Sequence, residues 1–592
     1  MSHTILHNVI DMPSRPSHHI AVRTKERGAW RGISWSEYYD HILKAAVALL
    51  ELGLKTQDKV AIMSNTRYEW AVCDMAVMGA KGIVVPIYPN STPEEVEFIL
   101  NDCEAEIFIC ENKHSLSIWR KISDRCPRIK TVICFEIDRP EDQSIQLWSR
   151  LLTDHEHQVK KHKKTFEINC RQSVATEWAS IIYSSGTTGR PKGIVLTHEQ
   201  IYSEVSEAFP SCGVTPADST LTFLPFAHVL GRIEHWGHIF IGFTMAYAES
   251  IEKLRYNLPE IKPTIMVAVP RIFEKVYSQI LAQVETQPMK KRIFTWALGI
   301  GKKVSYLKVT RQAIPLSLMA EYEVARRLVL NKVTNTFGGR LRFAISGGAP
   351  ISCELAQFFH AAGILILEGY GLSETTGAIA VNTPYNYKFG SVGRPIGEAQ
   401  FKIADDGELL IKSKKVMIEY YKNPEATAAA LKDGWFATGD IGQILNNGDL
   451  QITDRKKDLI KTAGGKYVAP QKIEGLLKSN PLIAHALVHG DQKKYIVCLV
   501  TLDKIYLEKW AKEKEWSYNQ WTDLTTQPEV QQVIQNTFNE VNSQLASYES
   551  VKNFKILPTE FTIEAGELTP SLKVKRKLLD EKYRSEIETL YL

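Results

Sequence analysis

Ser180-Ile-Ile-Tyr-Ser-Ser-Gly-Thr-Thr-Gly-Arg-Pro-Lys-Gly-Ile-Val-Leu-Thr-His198 sets β-forming residues on both sides of a loop of serine, threonine and glycine. Ser184, Ser185, Thr187 and Thr188 supply hydroxyls, and Lys192 supplies a cation. Gly186 and Gly189 let backbone N–H groups close on an anion. Together these suit a triphosphate tail. An ordinary P-loop is excluded, because the two glycines are wrongly spaced and 193–197 reads as a strand where that motif opens a helix.

Upstream, helical and strand-like segments alternate. Residues 34–52 and 68–79 carry helical periodicity, while 59–63 and 82–88 read as strands. Thr92-Pro93-Glu94-Glu95 has the composition of a capping box with proline at the first helical position. This alternation predicts an α/β protein with a parallel sheet covered by helices.

At 592 residues, 44% hydrophobic and 23% charged, the chain has room for several cores and needs no disulfide or metal staple. A formal net charge of +5 is too weak to argue for a nucleic-acid partner. No apolar run reaches the length of a membrane span, and the N-terminus lacks the pattern of a secretory signal. The nine scattered cysteines include no CxxC pair and suit reduced thiols, so the expected compartment is the cytoplasm. The polar stretch 152–165 reads as a solvated surface loop. The basic stretch 290–311 reads as an amphipathic helical region. It is either a solvated face or a peripheral contact with the inner face of a membrane.

Further motifs follow in order. Residues 341–346 read as a strand ending in Gly347-Gly348-Ala349-Pro350, and 364–367 as a buried strand ending in Glu368-Gly369-Tyr370-Gly371-Leu372-Ser373-Glu374. Next come Gly434-Trp-Phe-Ala-Thr-Gly-Asp440 and Asp454-Arg455-Lys456-Lys457-Asp458. Lys461 and Gly464-Gly465 lie just beyond, and Leu568-Thr-Pro-Ser-Leu-Lys-Val-Lys-Arg576 closes the series.

These motifs resemble, in kind and order, those of the acyl-adenylate-forming enzymes. Leu224-Pro-Phe-Ala-His-Val-Leu-Gly231, Val269-Pro-Arg-Ile-Phe-Glu274 and the basic insertion around 280–335 are similar to the long-chain fatty acyl-CoA synthetases among them. The resemblance implies a large N-terminal domain (1–456) of doubly wound α/β subdomains plus a small distorted β-barrel. A small mobile α+β C-terminal domain (457–592) would follow, with its hinge near Lys457. It implies activation of a fatty acid by ATP to acyl-AMP, then transfer to coenzyme A. The alternative is another carboxylic acid or another acyl acceptor.

The same resemblance implies residue roles. The loop from Ser184 to Gly189, with Lys192, would hold phosphates. The Gly347–Pro350 turn and Glu368, Gly369, Tyr370 and Gly371 would line adenine, with Tyr370 stacking on it. Ser373, where threonine is usual, would reach the α-phosphate, and Glu374 would hold Mg2+. Asp440 and Arg455 would take the ribose side, and His228 would stand near the substrate carboxylate. Lys461, Gly464 and Gly465 would face the coenzyme A step. Lys573 takes the place of the catalytic lysine, although Leu572 replaces a common glycine and Lys575 is the second candidate. Two other chemistries fit the residues less well. Ala344-Ile-Ser346-Gly-Gly348 is near a hydrolase nucleophile elbow, but the glycine turn explains it better. Glu234, His235 and His238 lack the H-E-x-x-H spacing of a zinc site.

Overall fold

The structure, a computed structural model, describes residues 3–137, 145–184, 191–285, 288–562, 565–569 and 574–592. Near the N-terminus, local signals act where they are read. Ser34 caps the helix Trp35–Glu51, and Thr92 caps Pro93–Cys103. At the latter, Thr92 N–H donates to Glu95 at 3.1 Å and Glu95 N–H returns to the Thr92 hydroxyl at 3.3 Å.

Strands Lys59–Met63, Ile83–Ile87, Ile107–Asn112, Thr131–Glu136 and Ile145–Leu147 form one parallel sheet, extended by Trp178–Ser184. Lys192–Thr197 closes its edge antiparallel to Trp178–Ser184. Consecutive residues of the central strands feed different cores. Val60 and Ile62 join one apolar cluster, and Ala61 and Met63 join another. Both faces are therefore covered, which is why these strands read as unbroken apolar runs.

A second sheet begins parallel, with Ile265–Ala268, Phe343–Ser346 and Leu365–Leu372. It ends antiparallel through Gly377–Val381 and Arg394–Pro395. A third sheet joins Ser219–Thr222, Thr244–Tyr247, Ile20–Glu26 and Ala29–Ser34. Gln400–Ile403, Glu408–Lys412, Leu431–Lys432, Trp435–Ile444 and Leu450–Arg455 form a separate antiparallel sheet.

The C-terminal region has its own cores. Ile483–His489, Ile496–Leu502 and Val551–Ile556 form a sheet, and Pro470–Leu477 and Pro528–Ser543 pack against it through Ile473, Leu477, Ile534 and Phe538. The stretch 152–165 differs from expectation. It is solvated, but most of it lies in the helices Trp148–Asp154 and Val159–Arg171. The second helix is anchored by Phe166, whose ring lies where a Cβ on Gly79 would come within 2.3 Å. The basic stretch is helical as expected, over Pro288–Val309.

Candidate active site

The hairpin from Trp178–Ser184 to Lys192–Thr197 pairs Ser184 directly with Lys192. Ser185, Gly186, Thr187, Thr188 and Gly189 lie outside the described residues. Lys192 is exposed, with Nζ 5.0 Å from the centre of the Tyr420 ring. A bridge between Ile194 and Tyr420 brings that ring to the hairpin. The Tyr420 hydroxyl then donates to Glu374 Oε1 at 2.9 Å. Burial, together with the negative charge of Glu374, pushes the Tyr420 phenol well above its ordinary range.

Glu374 sits in the tight turn Ser373–Thr375, and Thr376 follows at φ 59°. The turn is braced from behind. Lys415 is fully buried, with Nζ 3.3 Å from Glu204 and 3.1 Å from Glu207, and it donates to Ala378 O at 3.1 Å. Thr376 donates to Lys415 O at 2.7 Å, and Met417 N–H donates to Glu374 O at 2.7 Å. Burial raises the Glu204 carboxyl to about 7 against the pull of Lys415. A buried charge with several partners tolerates few alternative arrangements, so this network fixes the turn.

Tyr370 and Arg455 converge on one carboxylate. The Tyr370 hydroxyl donates to Asp440 Oδ2 at 2.5 Å, and Arg455 Nε lies 2.8 Å from Oδ1. Asp440 and Arg455 face each other across an antiparallel pair, which presents both side chains at one place. Glu368 is nearby on the Tyr370 strand and accepts from Ile351 N–H at 3.3 Å. Burial raises its carboxyl to about 7.

Tyr370 also borders a narrow, mostly apolar cavity of about 60 Å³. Gly347, Gly348, Gly369 and Gly371 line it, and His228 stands at the start of the helix Val229–Ile241. His228 Nδ1 accepts from Leu230 N–H at 3.1 Å, which leaves the ring proton of the neutral imidazole on Nε2. The helix itself is tied to the sheet. Arg232, fully buried, pairs with Asp74 and donates to the Ser180 hydroxyl at 2.6 Å. Gly348 has φ +80°, a conformation suited to glycine at this turn, while Ala349 and Pro350 continue it at the surface.

The C-terminal candidates divide. Arg455 lies in the Asp440 cluster, and Lys457 follows it in the 3₁₀ turn Lys456–Asp458. Lys461, Gly464 and Gly465 belong to the hairpin Ile460–Lys461 and Tyr467–Val468. Its hydrogen bonds run to the 491–493 turn, including Lys461 N–H to Asp491 at 3.0 Å. Lys573 lies outside the described residues. Lys575 precedes the helix Arg576–Lys582, and its N–H donates to Glu567 O at 2.9 Å.

Glu234, His235 and His238 are fully buried in packing contacts. Thr220 donates to Glu234 at 2.5 Å, the His235 ring stacks on Phe226, and His238 Nδ1 lies 2.5 Å from Phe243 O. Burial lowers the His235 imidazole to about 3. No group of three or more His, Cys, Asp or Glu poised to hold a metal ion occurs among the described residues. Ser346 is also fully buried. Sequence reading missed Tyr420, Lys415 and Glu204. Its one usable signal for Tyr420 was the apolar-aromatic run Val416-Met-Ile-Glu-Tyr-Tyr421.

The geometry can be compared with known proteins. The profile of the AMP-binding enzyme family matches residues 12–421, and that of the AMP-binding enzyme C-terminal domain matches 457–592. The long-chain-fatty-acid–CoA ligase FadD15 of Mycobacterium bovis is 38% identical over 568 residues, covering 95% of this chain and 93% of that one. Long-chain-fatty-acid–CoA ligase 5 of Rattus norvegicus is 31% identical over 603 residues, covering 96% and 85%. In fold, the adenylation domain of a carboxylate reductase from Mycobacterium chelonae superposes with a TM-score of 0.76 at 22% identity, covering 99% of this chain and 91% of that one.

Proposed function

The chain belongs to the AMP-binding enzyme family, and on that premise we propose that it joins a long-chain fatty acid to coenzyme A in two steps within the site above. It is an AMP-forming acid–thiol ligase that uses ATP and coenzyme A. The observation that carries the reading is the double position of Tyr370. Its hydroxyl holds Asp440, and the same residue lines the apolar cavity. A nucleotide and an acyl chain would meet there.

In the first step, the fatty carboxylate attacks the α-phosphorus of ATP and pyrophosphate leaves. Anion meets anion, so the site must offset charge. Lys192, the N–H groups of the loop and Lys573 would do so, and Ser373 would offer its hydroxyl to the α-phosphate. The His228 Nε2–H would orient the carboxylate at the cavity mouth. Asp440 would accept hydrogen bonds from the ribose hydroxyls, as a carboxylate with two oxygens can. The Glu374 carboxylate, only partly exposed and oriented by Tyr420, has the oxygen chemistry to hold Mg2+. That ion would offset phosphate charge when bound. In the second step the thiol of coenzyme A attacks the acyl carbonyl and AMP leaves, with no enzyme nucleophile required. The C-terminal domain profile, which begins at 457, supports a boundary between 1–456 and 457–592 with Lys457 as hinge; Lys573 would then serve the first step, and Lys461 with Gly464-Gly465 the second.

ATP–pyrophosphate exchange across acids from acetate to oleate, with and without coenzyme A, tests the reading. Exchange with long-chain acids and thioester formation on adding coenzyme A are expected. Exchange only with other acids, or acyl-AMP that coenzyme A leaves unconsumed, would favour the alternative substrate or acceptor.

No helix among the described residues is long and apolar enough to cross a membrane. A peripheral contact has its own support. Met289, Ile293 and Trp296 follow one face of Pro288–Val309 and are 75%, 43% and 44% exposed, beside Lys290, Lys291 and Arg292. The helix carries no acidic residue. This combination fits an anionic bilayer surface. Co-sedimentation with anionic but not zwitterionic vesicles, lost when the three apolar residues become serine, is the expected result.

A further inference from the structure

The helix Val229–Ile241 gives the cavity a direction. Its lining residues Val229, Leu230 and Ile233 all come from the first turns after His228. The next position on that face is Gly237, one turn beyond Ile233. At about 1.5 Å per residue, Gly237 lies roughly 13 Å along the axis from His228.

The atoms nearest the open face of Gly237 belong to Phe209. A Cβ built there would lie 2.1 Å from Phe209 Cε2 and 2.5 Å from both Cδ2 and Cζ. The Phe209 ring is therefore seated in the notch left by the missing side chain. Phe209 is 3% exposed, and its ring centre is 5.9 Å from that of Phe243. Phe209 also lines the cavity, with Ala208 and Cys212 from the same helix, His198–Ser211, and its cap. The polar end of the cavity, at His228 and Gly348, and the Phe209 ring thus lie at opposite ends of one helix face.

We propose that Phe209, seated over Gly237, is the chain-length stop of the acyl cavity. The inference rests on the ligase reading above and adds the residue that selects among fatty acids. An acyl chain with its carboxylate at His228 runs along Val229, Leu230 and Ile233 and meets the ring edge. The depth available to it depends on whether the ring stays in the notch. Removing the ring lengthens the cavity. Filling the notch drives the ring toward the substrate and shortens it.

The test is the kcat/KM profile over saturated acids from hexanoate to stearate, with ATP and coenzyme A, for the full chain and the variants Phe209→Ala, Phe209→Leu and Gly237→Ala. Each extra or missing methylene in an apolar pocket changes selectivity by about 10–200-fold. Both Phe209 variants should therefore shift the ratio of longer to shorter acids upward by about tenfold or more, and Gly237→Ala should shift it downward. The KM for ATP should stay at its wild-type value. An unchanged ranking, or an equal loss for every acid, overturns the proposal. In case the variants do not fold, the wild-type chain carries a second arm: a long-chain acid with a terminal diazirine should crosslink within 205–214. Labelling elsewhere only would overturn the assignment. Absence of acyl-CoA formation by the wild type with every acid of the series would instead sink the ligase reading.

Discussion

The Tyr420 hydroxyl donates to Glu374 Oε1 at 2.9 Å, and the same ring lies 5.0 Å from the Lys192 ammonium. One residue thus connects the Ser184–Lys192 hairpin to the carboxylate proposed to hold Mg2+. A hydroxyl that orients a metal-binding carboxylate acts through it, and loss of such a partner typically costs about 10–100-fold in affinity or activity.

Tyr420→Phe should therefore raise the Mg2+ concentration needed for half-maximal adenylation about tenfold while leaving the maximal rate close to wild type. Titration of Mg2+ at saturating ATP and fatty acid measures this. An unchanged requirement would separate Tyr420 from the function of Glu374.

Lys573→Ala should nearly abolish acyl-AMP formation, since removing one preorganised charge contact costs about 10²–10³ in rate. It should spare thioester formation from pre-made acyl-AMP. Half-reaction assays read both steps. Equal loss of both would transfer the role to Lys575 or point to misfolding.

Lys457→Pro should keep adenylation and lose thioester formation. Proline fixes φ near about −65° and restricts the preceding residue, so a hinge there could not turn between steps. Full turnover at near the wild-type rate would place the hinge elsewhere.

Glu368→Gln should flatten the pH dependence of stability. The Glu368 carboxyl is raised by burial from 4.5 to about 7, so between those values the folded chain holds a proton that the unfolded chain has released. The destabilisation is absent below about pH 4.5, grows through this window and is complete above pH 7. Its size is on the order of 3 kcal/mol. The variant should thus gain stability relative to wild type at pH 8 and little at pH 4.5. Chemical denaturation of the two proteins at both pH values checks the difference, and a constant offset would contradict it.

Arg271→Ala should loosen the C-terminal region. Arg271, in the helix Pro270–Glu285, donates to Glu560 at 3.2 Å and to Ala484 O at 3.4 Å, and lies 3.9 Å from Asp503. Loss of a partly exposed set of this kind is worth about 1 kcal/mol, a several-fold shift in population. Limited proteolysis within 456–469 should accelerate accordingly. Unchanged cleavage would mean that the region is held by other contacts.

Local information in the chain was enough for the elements that carry the motifs. Caps at Ser34 and Thr92, the strand runs at 59–63 and 343–346, and the hairpin pairing Ser184 with Lys192 depend on neighbours a few residues apart. The ordered motifs also group Tyr370, Asp440 and Arg455, whose side chains meet in the fold. Residues 152–165 were misread as a loop because the apolar anchors of Val159–Arg171, Phe166 and Cys170, fall after the polar run.

What the sequence by itself determined was the succession of elements and, through its ordered motifs, the class of reaction. Tertiary structure alone decided which distant residues support them. Tyr420 reaches Glu374 across 46 positions, Lys415 braces the turn through Glu204, and Phe209 fills the notch of Gly237. The physical reason is that capping and periodicity act between near neighbours along the chain. A buried ion pair, or a ring seated over a missing Cβ, exists only once packing has closed the space between helices and sheets.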